Sequence, residues 1–418
     1  MKNHYSAFAI AHVIPFAFTF AFTFTFAVVF TTAHAASSSP TEKVALKTPV
    51  EISFIEALDP KDTTSSRRFQ EEYEAAIATG VKLTAARVAS CGYRLATKTA
   101  FYGASDPMMA TEQGEDAAAH GAWLIVGPRR SNHYMLLAKG APDTPSVSLM
   151  ASSDSLRELG RLHASLSPSN TQMASAAADE ARRRIPRSRS TNYVTFLASD
   201  CMNCRDFAAA FDRSAVNSHA PDSLHLTKSA EVAITGDSPD IAPLRDAIRH
   251  HTPAFVLLPN YSIVTSHVVS ALAPEFPDVF FVGGDGWGDS QFGFVQNGKD
   301  ITRAVGFSVR GNPPVLEGLK GFPTGRALIA ASSREPSSEL AHKFGSSSSL
   351  AILRVFDSVA TMLCENRPAN QKQFVRAFSK SSPRHFAQSR AVSIYEIKAG
   401  KIVYAKSVKS VLSTPVPQ

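Results

Sequence analysis

Short apolar runs rich in β-branched and aromatic residues recur along the chain, and each leads into a stretch of helical spacing. "VEISFI" (50–55) is followed by Phe69, Tyr73, Ala76 and Ile77 on one helix face, with Gly80 placed as a C-terminal cap. "ARVAS" (86–90) reads as the next strand. Asp106-Pro107 then opens an Ala-rich helix that runs to His120 and Gly121. "AWLIVG" (122–127) precedes a short helix from Ser131 to Lys139, and "SVSLM" (146–150) completes the first series. "NYVTFLAS" (192–199), "AEVAIT" (230–235), "AFVLLP" (254–259) and "DVFFVGG" (278–284) form a second. Such alternation predicts parallel sheets with helices on both faces, here two doubly wound α/β lobes that divide near residue 166. In open sheets of this kind a ligand sits beyond the carboxyl ends of the strands, so two facing lobes place it between them.

The first 35 residues stand outside this rhythm. Lys2, a long Phe/Ala/Thr/Val stretch and Ala33-His34-Ala35 have the pattern of a cleaved secretion signal, which predicts an exported, periplasmic protein starting near Ala36. The alternative is an uncleaved anchor, against which His12, Pro15 and the threonines interrupt the stretch. No cysteine precedes Cys91, which excludes a lipid-modified N-terminal cysteine. The remaining length, about 380 residues, exceeds what one core usually organises. The net charge of +7 is scattered and drops by one with Lys2, so it does not point to nucleic acid.

Four cysteines in an oxidising compartment predict disulfides, with three possible connectivities. Proximity favours Cys201 with Cys204, and elimination then leaves Cys91 with Cys364. The alternative for Cys201-x-x-Cys204 is a redox centre, although the flanking residues of such centres are missing. "ARRRIPRSRS" (181–190) reads as a solvated helix end and loop, "GSSSS" (345–349) as a loop, and "AVSIYEIKAGKIVYA" (391–405) as a hairpin turning at Gly400.

"IVGPRRSNHY" (125–134) ends an apolar strand in Gly-Pro, places two arginines in the turn and opens a helix at Ser131. The first N–H groups of a helix are unpaired and sit at the positive end of its dipole, which suits a carboxylate. Arg129 or Arg130 could add a charge-assisted bond; the alternative for both is a solvated turn.

Five motifs, in order, resemble the type I periplasmic binding proteins of the branched-chain amino acid kind. They are "DPMMATEQGEDAAAHGAWLIVGPRRS" (106–131), "SVSLMASSDSL" (146–156), "SLSPSNTQMASAAA" (165–178), "FVGGDGWGDS" (281–290) and "LAILRVFDSVATML" (350–363). The resemblance implies two α/β lobes joined by a three-strand hinge that close on a ligand. Lobe 1 would comprise 44–165 and 308–385, and lobe 2 would comprise 166–307 and 386–406. It further implies that Ser131, and Ser152 with the Met150 backbone, hold a ligand carboxylate, while Asp285 takes its ammonium. The alternative for Asp285 is a cap on its own Asp-Gly turn; Trp287 beside it reads as a pocket wall or a lid, with simple packing as the alternative. Where the family has an aromatic wall in lobe 2 this chain has Asn203-Cys204, so Tyr261 becomes the candidate wall; Asp59 and Ser65 in the first loop are unranked.

No nucleophile elbow, His-Glu-x-x-His or phosphate loop occurs in the sequence, and adjacent His250-His251 is poorly spaced for metal on a helix. The expectation is therefore a binding protein without a cofactor, monomeric and not membrane-spanning after signal cleavage. Its ligand would be a small amino acid or organic acid, delivered to an ABC permease. The alternative is a sensing or accessory subunit that binds a ligand or partner without transport.

Overall fold

The computed structural model describes residues 49–58, 63–186, 189–199, 201–216, 224–235, 240–260, 262–287, 295–296, 299–300, 306–311, 315–331, 347–386, 391–398 and 401–409. The candidate residues Tyr261 and Asp59, the hairpin turn at Gly400 and the secretion signal lie outside them.

The first sheet takes its strands from β1 (Val50–Leu58), β2 (Leu95–Gly103), β3 (Leu124–Gly127), β4 (Ser146–Ser148) and β5 (His163–Ser165). They run in the order β2-β1-β3-β4-β5 and every pair is parallel. Val50, Ile52 and Phe54 of β1 are fully buried on one face, packed with Tyr73 of α1 (Thr63–Ser90) and Phe356 of α10 (Ser347–Asn366). The other face carries Ile55 and Ala57, covered by α2 (Met109–Ala119) and α3 (Ser131–Gly140). Both faces of the sheet are therefore covered at its centre, as buried parallel strands require. Two short helices, α8 (Val315–Lys320) and α9 (Pro323–Ala331), pack on α10 through Leu319, Leu328, Leu350 and Leu353. α11 (Gln371–His385) then brings Phe374 and Phe378 into the core of this lobe.

Two expectations fail in this lobe. "ARVAS" is not a strand but the last turns of α1, where Val88 faces the core. Gly80 does not cap the helix. It sits against the Phe356 ring, which a Cβ there would approach to 2.1 Å, so the glycine admits a neighbour rather than ending the turn. The true strand, β2, lies at the sheet edge and its Thr-Lys-Thr centre is largely exposed, which hid it from a reading based on apolar runs. Similarly, Ser347–Ser349 begin α10 instead of continuing a loop.

The second sheet has seven strands: β6 (Asn192–Ala198), β7 (Thr227–Ile234), β8 (Phe255–Leu258), β9 (Phe280–Gly283), β12 (Gly306–Arg310), β13 (Ala391–Lys398) and β14 (Lys401–Lys409). Their order is β14-β13-β12-β9-β8-β6-β7, parallel except along β12-β13-β14. A separate two-residue ribbon pairs β10 (Val295–Gln296) with β11 (Lys299–Asp300). Helices α4 (Asn170–Arg184), α5 (Met202–Val216), α6 (Ala242–His251) and α7 (Ser262–Leu272) flank the seven-stranded sheet. β12 pairs within this sheet as far as Arg310, whereas Phe386 packs into the core beside the first sheet.

α4 opens with a full capping box, Ser169 and Gln172 each satisfying the other's backbone N–H. Its basic end is not the solvated surface expected. Arg182 is buried and donates to the carbonyls of Leu224, Ser214 and Ala215, closing the C-terminal end of α5. Arg184 pairs with Glu180 and Glu396 and lies over the Phe307 ring, tying α4 to the hairpin. Disulfides join Cys91 to Cys364, clamping the end of α1 to α10, and Cys201 to Cys204 at the entry to α5. Among the described residues no helix is long and apolar enough to cross a membrane.

Candidate functional site

Ser131 is the first residue of α3, because Gly127-Pro128 stops β3 and Arg130, in extended conformation, provides the helix N-cap. Its buried Oγ accepts from the backbone N–H groups of Ser152 and Ser153, each at 3.2 Å. Accepting leaves the hydroxyl proton for a further acceptor. The loop after β4 is thus pinned to the start of α3, and Ser148 Oγ adds a bond to the Pro128 carbonyl from the strand end itself.

From that loop Ser152 reaches across to the second lobe. Its Oγ stands 2.7 Å from Asp285 Oδ2 and 3.0 Å from Asn203 Oδ1, and its one proton serves either acceptor. Asn203, on the first turn of α5, donates to Asp285 Oδ1 at 3.2 Å. It also accepts from Asn170 Nδ2 at 2.8 Å, at the start of α4. Ser153 donates to Asp206 in the same way, and the Asn170 N–H donates to the Ser152 carbonyl at 2.7 Å. Two loops, after β4 and β9, and three helix starts, of α3, α4 and α5, therefore meet at one point between the sheets, at the carboxyl edge of each.

Asp285 follows β9, where Gly283 and Gly284 leave room for packed rings. A Cβ at Gly283 would stand 2.0 Å from the Trp287 side chain, and one at Gly284 3.4 Å from Phe207. Trp287 is fully buried and donates from Nε1 to the Leu258 carbonyl at 2.9 Å, so it packs beneath the loop. The Asp285 residue keeps some surface, but its carboxyl group is enclosed. Desolvation pushes its pKa above the usual carboxylate value, against the opposing pull of the Ser152 and Asn203 bonds and of the Arg310 charge. Asn170 is fully buried, and its Oδ1 has no hydrogen-bond partner. An acceptor without a donor therefore sits in the same network as a buried carboxylate.

The two arginines of the basic turn behave differently from each other. Arg130 is exposed. Arg129 folds back on its own lobe: its Nε lies 3.4 Å from Glu56 Oε2, and its guanidinium stacks 3.9 Å from the centre of the Phe69 ring. Glu56, at the end of β1, is buried, and its Oε1 accepts from the N–H groups of Ala57 and Arg129 at 2.9 and 3.4 Å. Burial raises the Glu56 pKa, and Arg129 opposes the rise. The carboxylate beside Arg129 is therefore one of this chain's own, Glu56, where the sequence offered a ligand carboxylate or a solvated turn. Met150 is half-buried, and its sulfur accepts from Ser348 Oγ at 3.6 Å.

The structure thus brings Ser131, Ser152 and Asp285 into one cluster, with Met150 two residues along the same loop as Ser152. Sequence reading missed Asn170, Asp206 and Glu56, and treated Asn203 only as a lost aromatic wall. The capping pattern at Ser169 and Gln172 was the one signal available for Asn170, because it fixes that residue at the first turn of α4.

No protein-family model matches the chain, and no curated protein matches it by sequence. Solved structures do. A leucine-binding protein from Thermotoga maritima superposes with a TM-score of 0.65 at 12% identity, covering 86% of this chain and 99% of its own. The branched-chain amino acid transporter substrate-binding protein LivJ from Streptococcus pneumoniae, in complex with isoleucine, gives 0.63 at 14% identity over 87% of this chain and 100% of its own. An ABC-transporter solute-binding protein from R. palustris, in complex with 4-hydroxybenzoate, gives 0.64 at 12% identity over 87% and 98%. The fold is that of the two-lobe type I periplasmic binding proteins.

Proposed function

We propose that this chain is an exported solute-binding protein of the type I periplasmic fold. It captures a small carboxylate-bearing ligand, an amino acid or analogue, between its lobes and presents it to an ABC permease. The observation that carries this reading is the division of chemistry across the cleft. Lobe 1 offers the Ser131 hydroxyl and the first turn of α3, both donors to a carboxylate. Lobe 2 offers the enclosed Asp285 carboxyl and the unpartnered Asn170 Oδ1, both acceptors for an ammonium. A zwitterion satisfies both sides at once. The solved relatives bound to isoleucine and to 4-hydroxybenzoate support a small carboxylate in this cleft, and the absence of nucleophile and metal motifs in the sequence supports binding without catalysis.

In this reading Ser131 and the Ser152 loop hold the carboxylate, and Asp285 exchanges its Ser152 bond for the ammonium as the lobes close. The test is calorimetric titration of leucine and of its deaminated analogue 4-methylpentanoate, in the wild type and in Asp285→Ala. The amino acid should lose roughly 3–5 kcal/mol of binding in the variant, because a buried cation loses its counter-charge. The plain acid should change little by comparison. Equal losses for both compounds would remove Asp285 from ammonium recognition, and a plain-acid preference in the wild type would move recognition onto Ser131 and the α3 N-terminus. If neither these two nor any other amino acid or small acid binds, the transport reading gives way to the accessory one.

A further inference from the structure

Beside the carboxylate end of the cleft, lobe 1 holds a second polar cluster that the reading above leaves unused. Glu56 lies near the carboxyl end of β1, Arg129 follows β3, and Tyr73 comes from α1; in the register of the sheet β1 and β3 are neighbours, and Arg129 stands two residues before Ser131. Three polar atoms of this cluster are buried without a hydrogen-bond partner: Glu56 Oε2, Arg129 Nε and Tyr73 Oη. The first two face each other at 3.4 Å as an ion pair, which matches their charges while neither atom makes a hydrogen bond. Glu56 is 1% exposed and Tyr73 is fully buried, whereas the Arg129 side chain is 36% exposed and gives the cluster its open side. Orphaned buried polar atoms are uncommon in folded proteins, and Tyr73 lies close enough to Glu56 and Arg129 to feel both charges, so the three form one cluster whose hydrogen-bonding capacity no group of the chain fills.

The charges narrow what that partner is. A second carboxylate would meet Glu56, and an ammonium would meet Arg129, so either charge finds its like in a desolvated setting. An apolar end would leave all three atoms unsatisfied. A hydroxyl both donates and accepts: it can give its proton to Glu56 Oε2 and take one from Arg129 Nε or Tyr73 Oη. The Phe69 ring beneath the guanidinium holds Arg129 in place for that bond.

On the footing of the solute-binding reading, we infer that Glu56, Tyr73 and Arg129 form a specificity subsite of the cleft, and that the preferred ligand carries a neutral hydroxyl at the end away from its bound carboxylate. Burial of the Glu56 carboxyl, which raises its pKa, agrees with a group that shares its proton with a neutral partner.

The experiment measures dissociation constants for matched pairs that differ by one hydroxyl: alanine and serine, phenylalanine and tyrosine, benzoate and 4-hydroxybenzoate. In the wild type at least one hydroxylated member should bind about tenfold or more tightly than its plain partner, since a site built around a hydroxyl rejects the analogue without one. In Tyr73→Phe and in Glu56→Gln, each checked for folding by its melting curve, that ratio should fall towards one. Tyr73→Phe removes only a hydroxyl and keeps the ring, so it keeps the test open should Glu56→Gln fail to fold. Ratios near one in the wild type would overturn the subsite and leave a bound water as the cluster's partner. A ratio that survives both variants would also overturn it. If no compound of any pair binds, the solute-binding reading itself fails, and the subsite with it.

Discussion

At their carboxyl edges the two sheets present different chemistry to the same cleft. The rim of lobe 1 is made of hydroxyls and helix-start N–H groups, and its carboxylates are already engaged, Glu56 by Arg129 and Asp154 by Thr171. The rim of lobe 2 carries Asp285 and Asp206 with the amides of Asn203 and Asn170, and Ser152 and Ser153 from lobe 1 already bond to them. Donors thus face acceptors and bond to one another across the cleft, and under the proposed function a ligand that carries both kinds of group takes the place of those bonds. The clamps differ as well. In lobe 1 a disulfide joins residues 273 apart and fixes α1 to α10, while in lobe 2 a disulfide between residues 3 apart fixes only the start of α5, where Asn203 and Asp206 sit.

That contrast is broken most strongly by removing the long-range clamp. Replacing Cys91 and Cys364 by alanine frees a long loop in the unfolded chain and should cost roughly 2–5 kcal/mol, read as a lower denaturant midpoint. Replacing Cys201 and Cys204 should cost less stability and act more on ligand affinity. The reverse order would show that the lobe 2 bond, not the lobe 1 bond, carries the global fold.

Smaller is the effect of Ser131→Ala, which leaves the N–H groups of Ser152 and Ser153 without their acceptor. A loss of about 1–3 kcal/mol in urea unfolding of the ligand-free protein is expected. No loss would mean that the loop after β4 is held by other bonds and that Ser131 is free for ligand alone.

Smallest is a pH effect that sharpens the role of lobe 2. The folded pKa of Asp285 lies above its unfolded value, so its favourable contribution is fully present only below the ordinary value of 3.8 and is lost as pH rises through the raised folded value. Asp285→Asn has no such proton to lose. The ligand-free variant should therefore gain most over the wild type near neutral pH, and the gain should shrink as pH falls towards about 4. A gap in melting midpoint that stays constant over that range would place the carboxyl in contact with solvent.

Much of this arrangement was legible in the sequence. The strand ending at Gly127-Pro128 and the helix opening at Ser131 both appear where the pattern of apolar run, breaker and polar turn puts them. Asp285 stands out because glycines surround it. Glu56 was hidden inside the apolar run of β1, and the partner that explains it is 73 residues away, a distance no local pattern spans. "ARVAS" was misplaced because a short apolar run suits a buried helix turn as well as a strand, and the neighbouring Gly80 imitated a cap. Arg182 and Arg184 looked like solvated charge, yet they cap α5 and pair with Glu180, Glu396 and the hairpin through contacts that only the folded chain brings together.

The measurement that tests the central claim most directly is thermal melting of the purified protein against amino acids, amides and small organic acids. A ligand that binds only the folded form adds about 2.7 kcal/mol at a hundredfold excess over its dissociation constant, enough to move the midpoint visibly. The account predicts upward shifts from compounds that carry both a carboxylate and an ammonium, lost in Asp285→Ala. A panel that moves nothing, on folded protein freed of carried-over ligand, would contradict it.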